Sequence, residues 1–215
     1  MTSRLANGGR VINRQRPLGF RVDGRWMRAY EGDTLASALL ANGQLVMGRS
    51  FKYHRPRSVV ASGPEEPNAL MSIGEGGRFT PNTRATEQPV FEGLVARSQN
   101  AWPSLDFDVG QVNDLASRLL PAGFYYKTFL QPRPLWKHVF EPLIRRAAGL
   151  GAAPTETDPD TYEFQYAFCD TLVVGGGVAG LLAASGAAEA GQRVLLVERS
   201  GHWGGRAPVD GDLID

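Results

Sequence analysis

With 215 residues, 21% of them charged and 42% hydrophobic, the chain can bury a real core in one or two domains and has an ordinary globular composition. A net charge of +1 argues against a nucleic-acid or anionic-membrane partner, and no run of about 20 apolar residues is present to span a bilayer as a helix. The single cysteine, Cys169, excludes an internal disulfide and a multi-thiolate metal site within the chain, and it fits a reducing, cytoplasmic setting.

Residues 1–16 are rich in arginine and lack acids and an apolar core of the signal-peptide kind, so they read as an arm docked on another domain or subunit. From Pro17, alternating segments Leu18–Val22 and Arg25–Tyr30 flank Asp23-Gly24, which predicts a two-residue hairpin. Asp33 is the expected N-cap of a helix over Thr34–Asn42, with Leu35, Ala38 and Leu39 on one face and Gly43 as its stop. Further strands are expected around Ala69–Ile73 and Glu87–Phe91, with Gly74–Thr83 as loop. The result is a small α+β domain of β-grasp type over residues 17–104.

Between the helix and those strands, Arg49–Arg57 interleaves basic and aromatic residues. With Glu65 and Glu66 close behind, it reads as a structural loop whose arginines pair with acids or with a neighbouring domain. Residues 105–165 form a helical connector and linker. Asp108 can cap a helix bearing Val109, Val112, Leu115, Ala116 and Leu119, and Phe124–Phe129 is densely aromatic, as core or as interface. A helix carrying Trp136, Val139, Phe140, Leu143, Ile144 and Ala147 is kinked or divided at Pro142, and Gly149–Pro159 is linker.

Residues 166–215 hold the stretch that speaks most directly of chemistry. A β-branched strand, Cys169–Val174, enters Gly175-x-Gly177-x-x-Gly180, an Ala/Leu-rich helix runs from about Val178 to Ala190, Gly191 ends it, and a second strand, Arg193–Glu198, finishes on an acid. In such a unit Gly175 makes the tight turn, Gly177 admits a pyrophosphate to the backbone and Gly180 lets helix and strand pack closely, while the helix N-terminus offers free N–H groups. Glu198 in place of a basic residue favours an unphosphorylated ribose, hence NAD or FAD over NADP. Gly204-Gly205 would fold the chain back over the dinucleotide, with His202 and Trp203 as candidate lining residues. No residue has the pattern of a general base or nucleophile, so no catalytic residue is assigned, and the histidines stand in no metal-ligand spacing.

Long words in the sequence resemble the α subunits of heterotetrameric sarcosine oxidases: Asp33–Gly43, Gly48–Arg57, Gly63–Leu70, Gly93–Ser104, Pro121–Phe129, Glu141–Gly151 and the glycine fingerprint. The resemblance implies a ferredoxin-like β-grasp domain followed by the first βαβ unit of a Rossmann-type FAD/NAD(P)-binding domain, here truncated, with the rest of an α chain expected beyond Asp215. It implies NAD on this subunit, with Gly175, Gly177, Ala179 and Gly180 at the pyrophosphate, Glu198, Arg199 and Ser200 beside the adenosine ribose, and Gly205 and Arg206 at a further contact. Many relatives carry two acids after the second strand, where this chain has Glu198-Arg199.

The same resemblance implies an enzyme that oxidises sarcosine with oxygen to glycine, hydrogen peroxide and formaldehyde or methylenetetrahydrofolate. FAD would lie in a β subunit, FMN between α and β, and γ and δ subunits would complete the complex. The isolated chain is expected to be inactive. Relatives of the first domain hold a [2Fe–2S] cluster on four cysteines; Met47–Asn68 has none, so the expectation is a scaffold without a cluster. The competing readings are a subunit of a related amine, opine or amino-acid dehydrogenase or of a hydrogen cyanide synthase, and a non-catalytic structural adaptor.

Overall fold

The computed structural model describes residues 3–115, 117, 123 and 133–210. Contacts divide the chain into two compact units, one of Met1–Ala6 with Ile12–Asp160, the other of Asn7–Val11 with Thr161–Asp215.

The first unit is built on a hairpin. Strand β1 (Asn13–Val22) pairs antiparallel with β2 (Arg25–Glu31), and the register closes on Val22 opposite Arg25. Asp23 and Gly24 both take positive φ, 48° and 79°, the turn whose twist matches that of the strands. The chain then enters helix α1 (Leu35–Ala41), which buries Leu35, Ala38 and Leu39. Strand β5 (Leu70–Ile73) pairs antiparallel with both β6 (Thr80–Arg84) and β7 (Val95–Ser98), and β7 runs parallel to β1, giving a five-stranded sheet of order β2-β1-β7-β5-β6. Phe20 and Val22 of β1, Leu35 and Leu39 of α1, and Met47, Met71 and Leu94 meet in one apolar core, none more than 1% exposed. Two short strands, β3 (Gly48–Arg49) and β4 (Pro56–Arg57), close a separate ladder.

Three details depart from the sequence reading. Thr34, not Asp33, caps α1, its hydroxyl accepting from Ser37 N at 3.2 Å. Asp33 is buried instead, accepting from Tyr30 N at 2.8 Å and Ser37 Oγ at 2.7 Å while Arg4 Nη1 and Nη2 donate to it at 3.1 and 2.6 Å. Residues 87–91 are not a strand. Pro89 has no N–H to give, and the segment serves the helix start, with Leu35 N donating to Gln88 O and Val90 N to Asp33 O. The strand lies earlier, at Thr80–Arg84, in a stretch whose Pro81 and Asn82 read as loop; an edge position tolerates both.

Asp108 caps a short turn by accepting from Gly110 N at 3.1 Å, and helix α2 (Val112–Leu115) follows. Ala116, Leu119 and the aromatic run Phe124–Phe129 lie outside the described residues. Helix α3 (Glu141–Ala147) begins beside Pro142 after a π-type widening at Trp136–Phe140, which divides the helix where the proline removes a donor. The stretch from Gly149 has neither helix nor strand, yet it is fastened to the sheet: Gly151 N donates to Asn82 Oδ1 at 2.9 Å and Arg78 pairs with Asp160 at 2.7 Å.

The second unit is a βαβ element. Strand β8 (Thr171–Val174) leads into helix α4 (Val178–Glu189) and returns as β9 (Val194–Val197), parallel to β8 from Thr171 opposite Val194 to Val174 opposite Val197. Gly191, at φ 80°, stops the helix by donating to Ala188 O, and Arg193 N donates to Asp170 Oδ2 at 2.8 Å to fix the start of the ladder. Two strands and one helix cannot cover their own apolar residues, and Leu172, Val174 and Leu182 stay exposed. Among the described residues no helix is long and apolar enough to cross a membrane.

Candidate functional site

The turn between β8 and α4 is shaped by its glycines in three different ways. Gly175 sits at φ 103°, where a side chain is strained, and its N–H donates to Val197 O at 2.8 Å. At Gly180, in the first turn of α4, a Cβ would overlap the Gly175 carbonyl oxygen, so the helix can approach the turn only without one. Gly177, the N-cap, has φ −70° and ψ 176°, which any residue adopts, and a Cβ there would meet nothing within 4 Å. Neither strain nor packing accounts for glycine at 177; what the position leaves is open space against the backbone. No side chain caps α4, so the N–H groups of its first turn, Val178 and Ala179 included, face outward with the positive end of the helix dipole.

The chain beyond β9 folds back on this turn. Gly204 N donates to Gly176 O at 2.8 Å, and Gly204 and Gly205 use positive φ, 96° and 59°, to bring the backbone against Gly177. A Cβ on buried Gly176 would overlap the Trp203 ring, so the indole lies directly on the turn. His202 contributes its carbonyl oxygen, accepting from Ser200 Oγ at 2.9 Å.

Glu198 ends β9 facing the same turn. Oε1 accepts from Ser200 N at 2.7 Å and Ser200 Oγ at 2.9 Å, and Oε2 accepts from Gly176 N at 2.5 Å. The Ser200 N–H, then the Gly176 N–H, then the Ser200 hydroxyl hold the carboxyl down to about 2, so it is ionised at any physiological pH. An ionised carboxylate has about four acceptor positions, which leaves Oε2 room for a ligand hydroxyl. Gly175, Gly177, Ala179, Gly180, Glu198, Ser200 and Gly205 thus gather at one turn, while Arg199 and Arg206 are exposed beside it.

Next to the turn is a cavity of about 570 Å³ lined by Val178, Leu181 and Leu182 of α4 and by Trp203, Gly204, Ala207 and Pro208. Its one charged lining residue is Arg10. Sequence reasoning missed it, because nothing in the spacing of an arginine-rich arm ties one guanidinium to a turn some 165 positions away.

The loop of the first unit that precedes β5 is organised by a carboxylate. Glu66, 1% exposed, accepts from Val60 N at 2.7 Å and Ala61 N at 2.9 Å on Oε2 and from Asn68 N at 2.7 Å on Oε1. Burial would raise its pKa, but the N–H groups of Ala61, Asn68, Val60 and Ala69 outweigh that and lower it. Nearby, His54 Nδ1 lies 2.6 Å from Asp108 Oδ2, Arg49 is buried against the Leu105 carbonyl and Arg55 pairs with Asp114, so these three members of the basic stretch are held by internal contacts. The His54–Asp108 pair left no sequence signal, the two residues being 54 apart. No group of three or more potential metal ligands occurs among the described residues.

Comparison with known proteins agrees with this division. Residues 15–101 match the 2Fe-2S iron-sulfur cluster binding domain family, and residues 170–210 match the FAD dependent oxidoreductase family. Sarcosine oxidase subunit alpha of Rhizobium meliloti (strain 1021) is 58% identical over 205 residues, which is 95% of this chain and 21% of that protein. The chain is similar to sarcosine oxidase subunit alpha over nearly its whole length. The same subunit of Corynebacterium sp. (strain P-1) is 32% identical over 90% of this chain and 15% of its own length, and that of strain U-96 is 32% identical over 99% and 18%. The chain therefore spans about a fifth of these sarcosine oxidase α subunits, and the order of its two matched families is that of an N-terminal part. The crystal structure of L-proline dehydrogenase from P. horikoshii superposes on 90% of the chain and 26% of its own, at 20% identity and a TM-score of 0.45. The stretch matched to the iron-sulfur family contains no cysteine.

Proposed function

We propose that this chain is the N-terminal part of the α subunit of a heterotetrameric sarcosine oxidase, in which the βαβ unit binds NAD and the first unit is a β-grasp scaffold without a cluster. The observation that carries the binding reading is Gly177: a glycine that neither φ nor packing requires, standing in open space at an uncapped helix N-terminus. In this reading the Val178 and Ala179 N–H groups donate to the diphosphate, Gly175 and Gly180 hold the turn in shape, and Oε2 of Glu198 accepts from an adenosine ribose hydroxyl. Arg199, Ser200, Gly205 and Arg206 border the bound nucleotide.

The β-grasp reading rests on the sheet order with β1 parallel to β7 and one helix packed on the core. The scaffold reading rests on chemistry: a [2Fe–2S] cluster needs thiolates, and the loop ahead of β5 is tied by Glu66 instead. Sarcosine oxidation follows from the name of the relatives; the β, γ and δ partners and the FAD and FMN of a complete complex are what the family resemblance implies, and a cytoplasmic location rests on the single cysteine. A bound dinucleotide would supply redox chemistry that none of these residues can perform.

A second reading, FAD in place of NAD at this turn, is favoured by the family matched at residues 170–210. Trp203 against Gly176 provides the assay. Titrating the full chain with NAD, FAD and NADP while following tryptophan emission should give saturable quenching by NAD or FAD. NADP should bind far more weakly, because Glu198 would face its 2′-phosphate. No saturable change with any of them would refute dinucleotide binding and leave the adaptor reading.

A further inference from the structure

We propose that Ala61, Glu66 and Ala69 stand at the positions of three cluster thiolates, and that the Glu66 carboxylate is the internal anion on which this loop closes in place of a cluster. This rests on the scaffold reading above and goes beyond it, since that reading needs only the missing cysteines and says nothing of what fills their place.

Plant-type [2Fe–2S] domains take three of their thiolates from a C-x4-C-x2-C run. Within the stretch matched to the iron-sulfur family, Ala61, Glu66 and Ala69 have that spacing. Spacing alone selects nothing, but the geometry selects these three. Glu66, 1% exposed, accepts from Ala61 N at 2.9 Å, and the Ala69 N–H joins in stabilising its charge, so the three positions converge on one point. The neighbouring residues send donors to the same carboxylate, Val60 N at 2.7 Å and Asn68 N at 2.7 Å.

These residues do not fit a cluster: the alanines offer no ligand atom, and a carboxylate occupies the point on which the donors converge. What they keep is the cradle. Backbone N–H groups turned toward one point form a nest for an anion, and iron–sulfur sites are among those that such nests hold. Among the described residues no cation pairs with the Glu66 carboxylate, so N–H groups alone hold its charge. The loop is also fastened from outside, with Thr86 Oγ1 donating to Gly63 O at 2.8 Å and Arg84 Nε to Glu66 O at 3.2 Å. A metal site couples folding to metal supply, whereas an anion carried on the chain folds with it.

The test uses the full chain, with its iron content measured first. Glu66→Ala is titrated with formate as a probe of the vacated cradle. Formate should return about half or more of the stability the substitution removes, read as the urea midpoint, and move the unchanged chain no more than sodium chloride of equal ionic strength does. If Glu66→Ala does not fold unaided, refolding yield with and without formate is the readout, and formate should raise it. Cobalt(II) then probes the positions. The triple variant Ala61→Cys, Glu66→Cys, Ala69→Cys should bind it with thiolate-to-metal absorption, about tenfold or more tighter than a triple displaced by one residue, Val60→Cys, Glu65→Cys, Asn68→Cys. No effect of formate on Glu66→Ala would overturn the anion role, and equal cobalt affinity of the two triples would overturn the positions. Either failure on an iron-free chain leaves the scaffold reading standing, whereas stoichiometric iron on the unchanged chain would refute that reading itself.

Discussion

Gly177→Val should abolish dinucleotide binding, by about 100-fold or more, and leave the fold intact. The backbone at 177 is in ordinary extended geometry, and a Cβ would meet nothing of the protein within 4 Å, so neither the backbone nor the β carbon of a valine conflicts with its own chain. Its methyl groups would instead occupy the space in which a diphosphate reaches the α4 N–H groups. Losing two charge-assisted hydrogen bonds of about 1.5–3 kcal/mol each corresponds to that factor. Gly180→Val fails for the opposite reason. Its Cβ would overlap the Gly175 carbonyl oxygen, which is backbone and cannot swing aside, so the second unit itself should be destabilised by about 3 kcal/mol or more. Circular dichroism and thermal melting separate the pair: Gly177→Val melts like the unchanged chain and does not bind, whereas Gly180→Val melts early. A Gly177→Val chain that binds NAD and FAD normally would remove the main support for the site.

Glu66→Ala should destabilise the first unit by about 3 kcal/mol or more, read by urea denaturation. The substitution removes the buried acceptor shared by three part-buried N–H groups, on Val60, Ala61 and Asn68, and a donor left unpaired away from water costs about 1–3 kcal/mol. Glu66→Gln is the sharper probe, because its amide has one acceptor oxygen and one NH2. Either orientation sets a donor against N–H donors, so it too should lose stability although its volume is unchanged. The pH dependence follows from the lowered pKa. The contribution of Glu66 is complete above the ordinary glutamate range of about 4.3 and is lost as pH falls through the lower, folded value. The gap between the unchanged chain and Glu66→Gln should therefore be widest near neutral pH and close on acidification. A gap that widens below pH 4 would show that the carboxylate is not the loop's anchor.

Local rules made much of this molecule legible in its sequence. Asp23-Gly24 between alternating segments specified a hairpin, Asp108 a cap, and the strand, glycines, helix and terminal acid around Gly175–Glu198 a βαβ turn, because each depends on neighbours within a few residues. What escaped depends on distant partners. Thr80–Arg84 is a strand only because β5 offers an edge, and its proline and asparagine mask it. Asp33 was available as a cap until Arg4 claimed it, and Glu66, placed by the sequence only as an acid behind the basic stretch, holds backbone N–H groups of its own loop. Arg10 gives no signal at all in one dimension.

Whether the glycine turn of the second unit holds a diphosphate is tested most directly by a crystal structure of the full chain grown with NAD or FAD. Diphosphate oxygens within about 3 Å of the Val178 and Ala179 N–H groups, with an adenosine ribose hydroxyl on Glu198, are the predicted result. A dinucleotide ordered elsewhere on the protein, with this turn unchanged and empty, would contradict it.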